Sequence, residues 1–136
     1  MKPETAILYV EDDPNSRKVM KMLLSGRLKL PNVTIFEDSQ NFAERAAAIQ
    51  PRPDIVFLDI HVKPHTGFEM LKMLRAIEAY NGVPVVALTA SVMNEEVQML
   101  RTAGFDGCLA KPIDMETFPD TLNSILDGET IWRIIG

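Results

Sequence analysis

The chain has 136 residues, 46% apolar and 24% charged, with a formal net charge of −5 and a single cysteine, Cys108. That length gives one domain with a real core, and the composition excludes a disordered chain or a coiled coil. The negative charge argues against nucleic-acid binding, the lone cysteine excludes an internal disulfide or a cysteine-rich metal site, and no apolar run is long enough for membrane insertion. The start, MKPETAILYVEDD, lacks the long apolar stretch and cleavage site of a signal peptide, so a cytoplasmic protein is expected.

The first apolar run, Ala6 to Val10, ends in Glu11-Asp12-Asp13. Pro14 suits a first helical position because it has no amide proton to lose, and Asp13 just before it suits a helix cap. Val19, Met20, Leu23 and Leu24 repeat at helical spacing, and Gly26 is expected to stop that helix. Val33 to Phe36 reads as a second strand. Ser39 is expected to cap a helix running through Ile49, which Pro51 and Pro53 end.

The stretch Pro53 to Gly67, PDIVFLDIHVKPHTG, organises the rest. Ile55 to Leu58 is a short continuous apolar run, as in a strand buried on both faces, and it leads to Asp59. Packing does not require an aspartate there, and the carboxyl end of a parallel strand is where open α/β sheets place their chemistry. After Gly67, the residues Phe68, Leu71, Leu74 and Ile77 mark an amphipathic helix closed near Asn81-Gly82. Val83 to Leu88 is a fourth strand ending in Thr89-Ala90-Ser91. Met93, Val97 and Leu100 mark a fourth helix that stops at Gly104. Gly107 to Ala110 is a fifth strand ending in Lys111-Pro112. Asp114 can cap the last helix, and Pro119 places the start of its regular part near Phe118. Strand and helix thus alternate five times, which predicts a parallel sheet with helices on both faces and right-handed crossovers.

Glu11, Asp12, Asp59, Thr89 and Lys111 all fall just past strand ends, on one edge of such a sheet. Neighbouring carboxylates repel and stay ionised when they share a cation. Ligands that are all oxygen point to Mg²⁺ before Zn²⁺. A lysine and a hydroxyl beside them suit a phosphoryl group, and Asp59 could be the nucleophile that carries it.

In these residues the chain resembles the receiver domain of two-component response regulators. The resemblance rests on YVEDDPNSR, PDIVFLDIHVKPHTGFEML, ALTA and AGFDGCLAKPID, in that order and at matching intervals, and spans Thr5 to Asp127. It implies a flavodoxin-like, doubly wound, five-stranded parallel sheet of order 2-1-3-4-5 with five helices. The receiver would occupy residues 1–128, followed by a short apolar tail over 129–136. Asp59 would be the phosphoacceptor. Asp12 and Asp59 would bind Mg²⁺ directly, Glu11 would act through water, and the main-chain carbonyl of His61 would be a further ligand. Thr89 would move to the phosphoryl oxygen, Lys111 would pair with the acceptor or its phosphate, and the Lys111-Pro112 bond would be cis.

The resemblance further implies a single-domain response regulator without an output module. Its phosphodonor would be a sensor histidine kinase or a histidine phosphotransfer protein, and its output a downstream protein target. It would be no enzyme beyond Mg²⁺-dependent self-phosphorylation and slow autodephosphorylation. The readout surface would be the fourth helix, fifth strand and fifth helix, about Val92 to Leu126, with a homodimer through that face or the tail as a further expectation.

Three features depart from the family pattern. Val62-Lys63 stands where a Met/Leu-Pro pair is usual, with the proline one later at Pro64. Cys108 stands where many receivers carry a switching aromatic, and it reads as a buried small residue rather than a redox sensor. His61 and Ser91 occupy positions that tune dephosphorylation. His61 and His65 read as exposed loop residues rather than a metal pair. The tail, Ile131 to Ile135, is expected to fold back over the protein's own surface, the alternative being an exposed partner contact. Two rivals frame the functional reading. An aspartate-nucleophile phosphatase needs a second carboxylate where His61 stands, and a phosphate-independent pseudo-receiver would find support in the altered Val62-Lys63-Pro64 loop.

Overall fold

A computed structural model describes residues 1–90 and 93–132. Ser91, Val92 and the tail residues 133–136 therefore lie outside the described residues, including the expected dephosphorylation position at Ser91.

The strands are β1 (Ala6–Val10), β2 (Asn32–Phe36), β3 (Ile55–Asp59), β4 (Val85–Thr89), β5 (Gly107–Ala110) and β6 (Ile131–Trp132). The helices are α1 (Pro14–Lys21), α2 (Phe42–Ala47), α3 (Gly67–Arg75), α4 (Asn94–Ala103) and α5 (Phe118–Leu126). All strand pairs are parallel and the sheet order is β2-β1-β3-β4-β5-β6. The expected 2-1-3-4-5 order holds, and the expected count of five strands becomes six. Ile131 pairs with Gly107 and Trp132 with Cys108, so the start of the tail folds back onto the protein, as expected, and does so as a sixth strand.

Side chains along each strand alternate between two cores, as the pleat requires. Leu8, Val10, Val56, Leu58, Val85 and Ala87 face α2, α3 and α4, against Phe42, Met70, Leu74 and Leu100. Ile7, Tyr9, Ile55, Phe57, Val86 and Leu88 face α1 and α5, against Met20, Leu24, Phe118 and Leu122. The central strands are buried on both sides, which is why they read as unbroken apolar runs rather than alternating ones.

Three local expectations are corrected. Gly26 does not stop the first helix, because the chain continues in a wider helical turn, Met22–Arg27, in which the Leu28 amide donates to the Leu23 carbonyl at 2.9 Å. Ser39 is not a helix cap. α2 starts only at Phe42, behind Asn41 in the left-handed region, and Ser39 is fully buried with another role described below. The α5 helix begins at Phe118 as Pro119 requires, but its cap residue is Thr117. Asp114 instead accepts from the Glu116 amide at 2.9 Å in the turn before the helix. Asp13 does cap α1, accepting from the Ser16 amide at 3.1 Å and the Ser16 hydroxyl at 2.7 Å. The Lys111-Pro112 bond is cis, as are Gln50-Pro51 and Lys63-Pro64.

Candidate functional site

The chain leaves β1 toward β2 on one side of the sheet, and β3 then takes the place on the other side of β1. Such a reversal opens a crevice beyond the carboxyl ends of the adjoining strands. Glu11 and Asp12 leave β1 at that crevice, and Asp59 is the last residue of β3. Carboxylate oxygens of Glu11, Asp12 and Asp59 lie within 4.8 Å of one another. Glu11 and Asp59 are buried and Asp12 is exposed. Among the described residues this is the one group of His, Cys, Asp and Glu close enough to share a metal, so the side chains of His61 and His65 do not join it. His65 instead lies 3.8 Å from Glu69.

Lys111, just past β5, is the cation of the site. Its ammonium is 2.8 Å from Glu11 Oε1 and 3.4 Å from Asp59 Oδ2. Its primary partner is thus Glu11, with Asp59 second. Tyr9 also donates to Glu11 Oε1, at 2.8 Å, and the Asp13 amide donates to Oε2 at 3.3 Å. The Glu11 carboxyl is nevertheless held above the usual carboxylate range. Burial raises it first and Asp59 raises it further, which outweighs the lowering by Lys111 and Tyr9. Burial alone would depress the Lys111 ammonium. The hydrogen bond to Glu11 and the charges of Asp59 and Glu11 prevail, so it is held above the ordinary lysine value. Burial, then Glu11, pushes the Tyr9 phenol up as well, so it is a fixed donor.

Thr89 is buried at the end of β4, opposite Ala110, and its carbonyl accepts the Lys111 amide at 2.9 Å. Main-chain pairing therefore fixes the two residues relative to each other. The His61 amide donates to Asp59 Oδ1 at 3.1 Å, which orients that carboxylate from the turn just beyond it.

That turn is held by residues whose roles the sequence did not reveal. The Ser39 hydroxyl donates to the His65 carbonyl at 2.8 Å and accepts from the His65 amide at 2.6 Å, and the Ser39 amide donates to the Lys63 carbonyl at 3.1 Å. Ser39 is a latch on the altered Val62-Lys63-Pro64 loop. Val62 is buried and Lys63 exposed, so the departure buries an apolar side chain under the loop and turns its cation to solvent. Thr66 caps α3 in a reciprocal pair with Glu69, whose carboxyl the Thr66 amide holds below its usual value. Thr66-x-x-Glu69 was the available signal. Gly67 packs where a Cβ would lie 3.0 Å from Ile60 Cα, so a side chain there would push α3 away from the strand end. Cys108 is fully buried with its thiol pushed up to about 11 by desolvation, then by Glu96, which makes it a packing residue.

The family model described as the response regulator receiver domain matches residues 7–123. The polar-differentiation response regulator DivK of Brucella anthropi is 32% identical over 121 residues, covering 89% of this chain and 95% of that relative. The nitrate/nitrite response regulator protein homolog of Haemophilus influenzae is 30% identical over 134 residues. That match takes in 96% of this chain, which spans only 61% of that relative's length. Among solved structures, the receiver domain of the Pseudomonas aeruginosa sensor histidine kinase PA1611 has a TM-score of 0.78 at 26% identity, covering 91% of this chain and 98% of that one. That structure has a magnesium ion coordinated in the active-site cleft.

Proposed function

The chain belongs to the receiver-domain family of response regulators, and from that membership we propose that it accepts a phosphoryl group on Asp59 and signals through the resulting change of its protein-binding surface. Receiver domains are signalling modules rather than enzymes in the usual sense. The observation that carries the reading is one ammonium, Lys111, held between Glu11 and Asp59 at the carboxyl edge of the sheet, with Asp12 adjoining.

The donor set is all carboxylate oxygen and fits a hard divalent cation. Asp12, Asp59 and the main-chain carbonyl of His61 would hold Mg²⁺, with Glu11 behind them. Mg²⁺ supplies, when bound, positive charge for the oxygens of the transferred phosphoryl group. The chain's own residues do the rest. A carboxylate oxygen of Asp59 forms the new bond to phosphorus as the donor's P–N bond breaks, the donor being a phosphohistidine of a sensor kinase or phosphotransfer protein. The proton needed by the departing imidazole comes from the donor side. Lys111 pairs with the phosphoryl oxygens, to which its present distance of 3.4 Å from Asp59 leaves room to adjust. The Thr89 hydroxyl donates to one of those oxygens, which draws the end of β4 toward Asp59.

A cytoplasmic setting suits that chemistry, and no helix among the described residues is long and apolar enough to cross a membrane. Readout through α4, β5 and α5, toward a downstream protein or a second copy of the chain, accords with the position of Thr89 and Lys111 on that side of the sheet.

Intact mass after incubation with acetyl phosphate, with and without Mg²⁺, tests the reading. One Mg²⁺-dependent phosphate adduct on the wild type, absent from Asp59→Asn, is expected. An equal adduct on Asp59→Asn, or none on either chain, would refute it.

A further inference from the structure

β6 is joined to the molecule by more than two residues of pairing. Its side chains alternate, so Ile131 packs on the core beside α5 and Trp132 on the core beside α4. The guanidinium of Arg101, in the last turn of α4, stacks over the Trp132 ring at 4.6 Å from its centroid. On β5, a Cβ on Gly107 would lie 2.6 Å from the Ile131 carbonyl oxygen. The β5 position facing Ile131 therefore has no room for a side chain while β6 is docked. Gly107 and Arg101 are two independent features, on different elements, that both fit this strand.

The elements that β6 ties together lead to the site. β5 runs from its paired residues Gly107 and Cys108 directly into Lys111, whose amide bonds the Thr89 carbonyl. α4 is the first helix after Thr89. In the arrangement with β6 docked, Lys111 holds both Glu11 and Asp59.

We propose that the C-terminal strand is an inhibitory strap: by clasping α4 through Trp132 and β5 through Ile131, it favours the resting arrangement of Lys111 and Thr89. Linkage is reciprocal, so a ligand on Asp59 that favours the other arrangement must also loosen the strap. The coupling to Asp59 rests on the phosphoacceptor reading, whereas the clasp on α4 does not.

The experiment compares the full chain, a chain ending at Thr130, and Arg101→Gln in the full chain, which removes the stack at an exposed position. Without any phosphate mimic, hydrogen exchange of the α4 and β5 amides should quicken about tenfold in both variants. Unchanged exchange in both would overturn the strap. With Mg²⁺ and beryllofluoride, whose occupancy of Asp59 is read by fluorine NMR, the shortened chain should bind about fivefold more tightly. The emission of Trp132, the chain's single tryptophan, should shift in the full chain as the mimic binds. Equal affinity with unshifted emission would overturn the coupling while leaving phosphoacceptance intact. If beryllofluoride occupies neither chain, the phosphoacceptor reading and the coupling fail together, and exchange alone decides the clasp.

Discussion

Glu11 is the residue that most constrains the site. It is fully buried, takes the shortest contact of Lys111, and carries a carboxyl held above the usual range by burial and by Asp59. Folding thus disfavours its ionised form. The stability it contributes is complete below the unfolded carboxyl value and is lost as pH rises through the higher folded value. Glu11→Gln should therefore stabilise the chain at pH 7.5 without Mg²⁺, by about 1 kcal/mol, because Lys111 keeps Asp59 as a partner. Urea unfolding checks this, and the gain should shrink as pH falls toward the unfolded carboxyl value of about 4.3. The same variant should weaken Mg²⁺ binding, so stability and function pull in opposite directions at this position. Asp13 shows the reverse sign. Its carboxyl is lowered, first by the Ser16 hydroxyl, so its cap is retained above the unfolded aspartate value and lost as acid protonates it.

The loop between β3 and α3 buries Ile60 and Val62 in the core and is further positioned by polar contacts from elsewhere. Ser39 reaches it from the connection between β2 and α2, with both hydroxyl bonds on His65 and its amide on Lys63. Ser39→Ala leaves the His65 amide and carbonyl without that partner. The cost should be about 2 kcal/mol in urea unfolding, since buried polar groups lose their bonds without gaining water. It should also slow acetyl-phosphate labelling of Asp59, because His61 lies in the same turn and its amide orients the Asp59 carboxylate. Unchanged labelling with reduced stability would mean that the latch serves the fold alone. Neither effect could be foreseen from a serine placed before an apolar helical face. Capping and latching use the same hydroxyl, and only the fold brings His65 within reach.

Across the whole molecule, three carboxylates gathered at one edge of a chain of net charge −5 give the resting fold a repulsion that a divalent cation relieves. Mg²⁺ at tenfold over its dissociation constant should add about 1.4 kcal/mol, or roughly 4–6 °C in thermal unfolding. Asp12→Asn should abolish most of that rise while changing the metal-free transition little, since Asp12 is exposed. A Mg²⁺ shift preserved in Asp12→Asn would remove it from the ligand set.

The parallel sheet, the order of its first five strands, and the gathering of Glu11, Asp12, Asp59, Thr89 and Lys111 at one edge were legible in the chain. Strands buried on both faces must be continuous apolar runs, and parallel connection sends every strand's carboxyl end the same way. The intervals between motifs supplied the family. The preference of Lys111 for Glu11 over Asp59 was not legible, nor was the seat of Ser39 on the loop or the pairing of Ile131 and Trp132 with β5. Each depends on distances between segments far apart in the chain. Ser39 and His65 meet only because α2 and α3 pack on the same face of the sheet. Gly107 reads in sequence as a weak strand residue, and its lack of a side chain acquires a reason only when the Ile131 carbonyl lies against it. Sequence alone determined the first five strands and the edge at which these polar residues gather, because burial pattern and chain direction are local properties. Tertiary structure decided which atoms pair within that edge and what covers β5, because those contacts depend on how the elements pack.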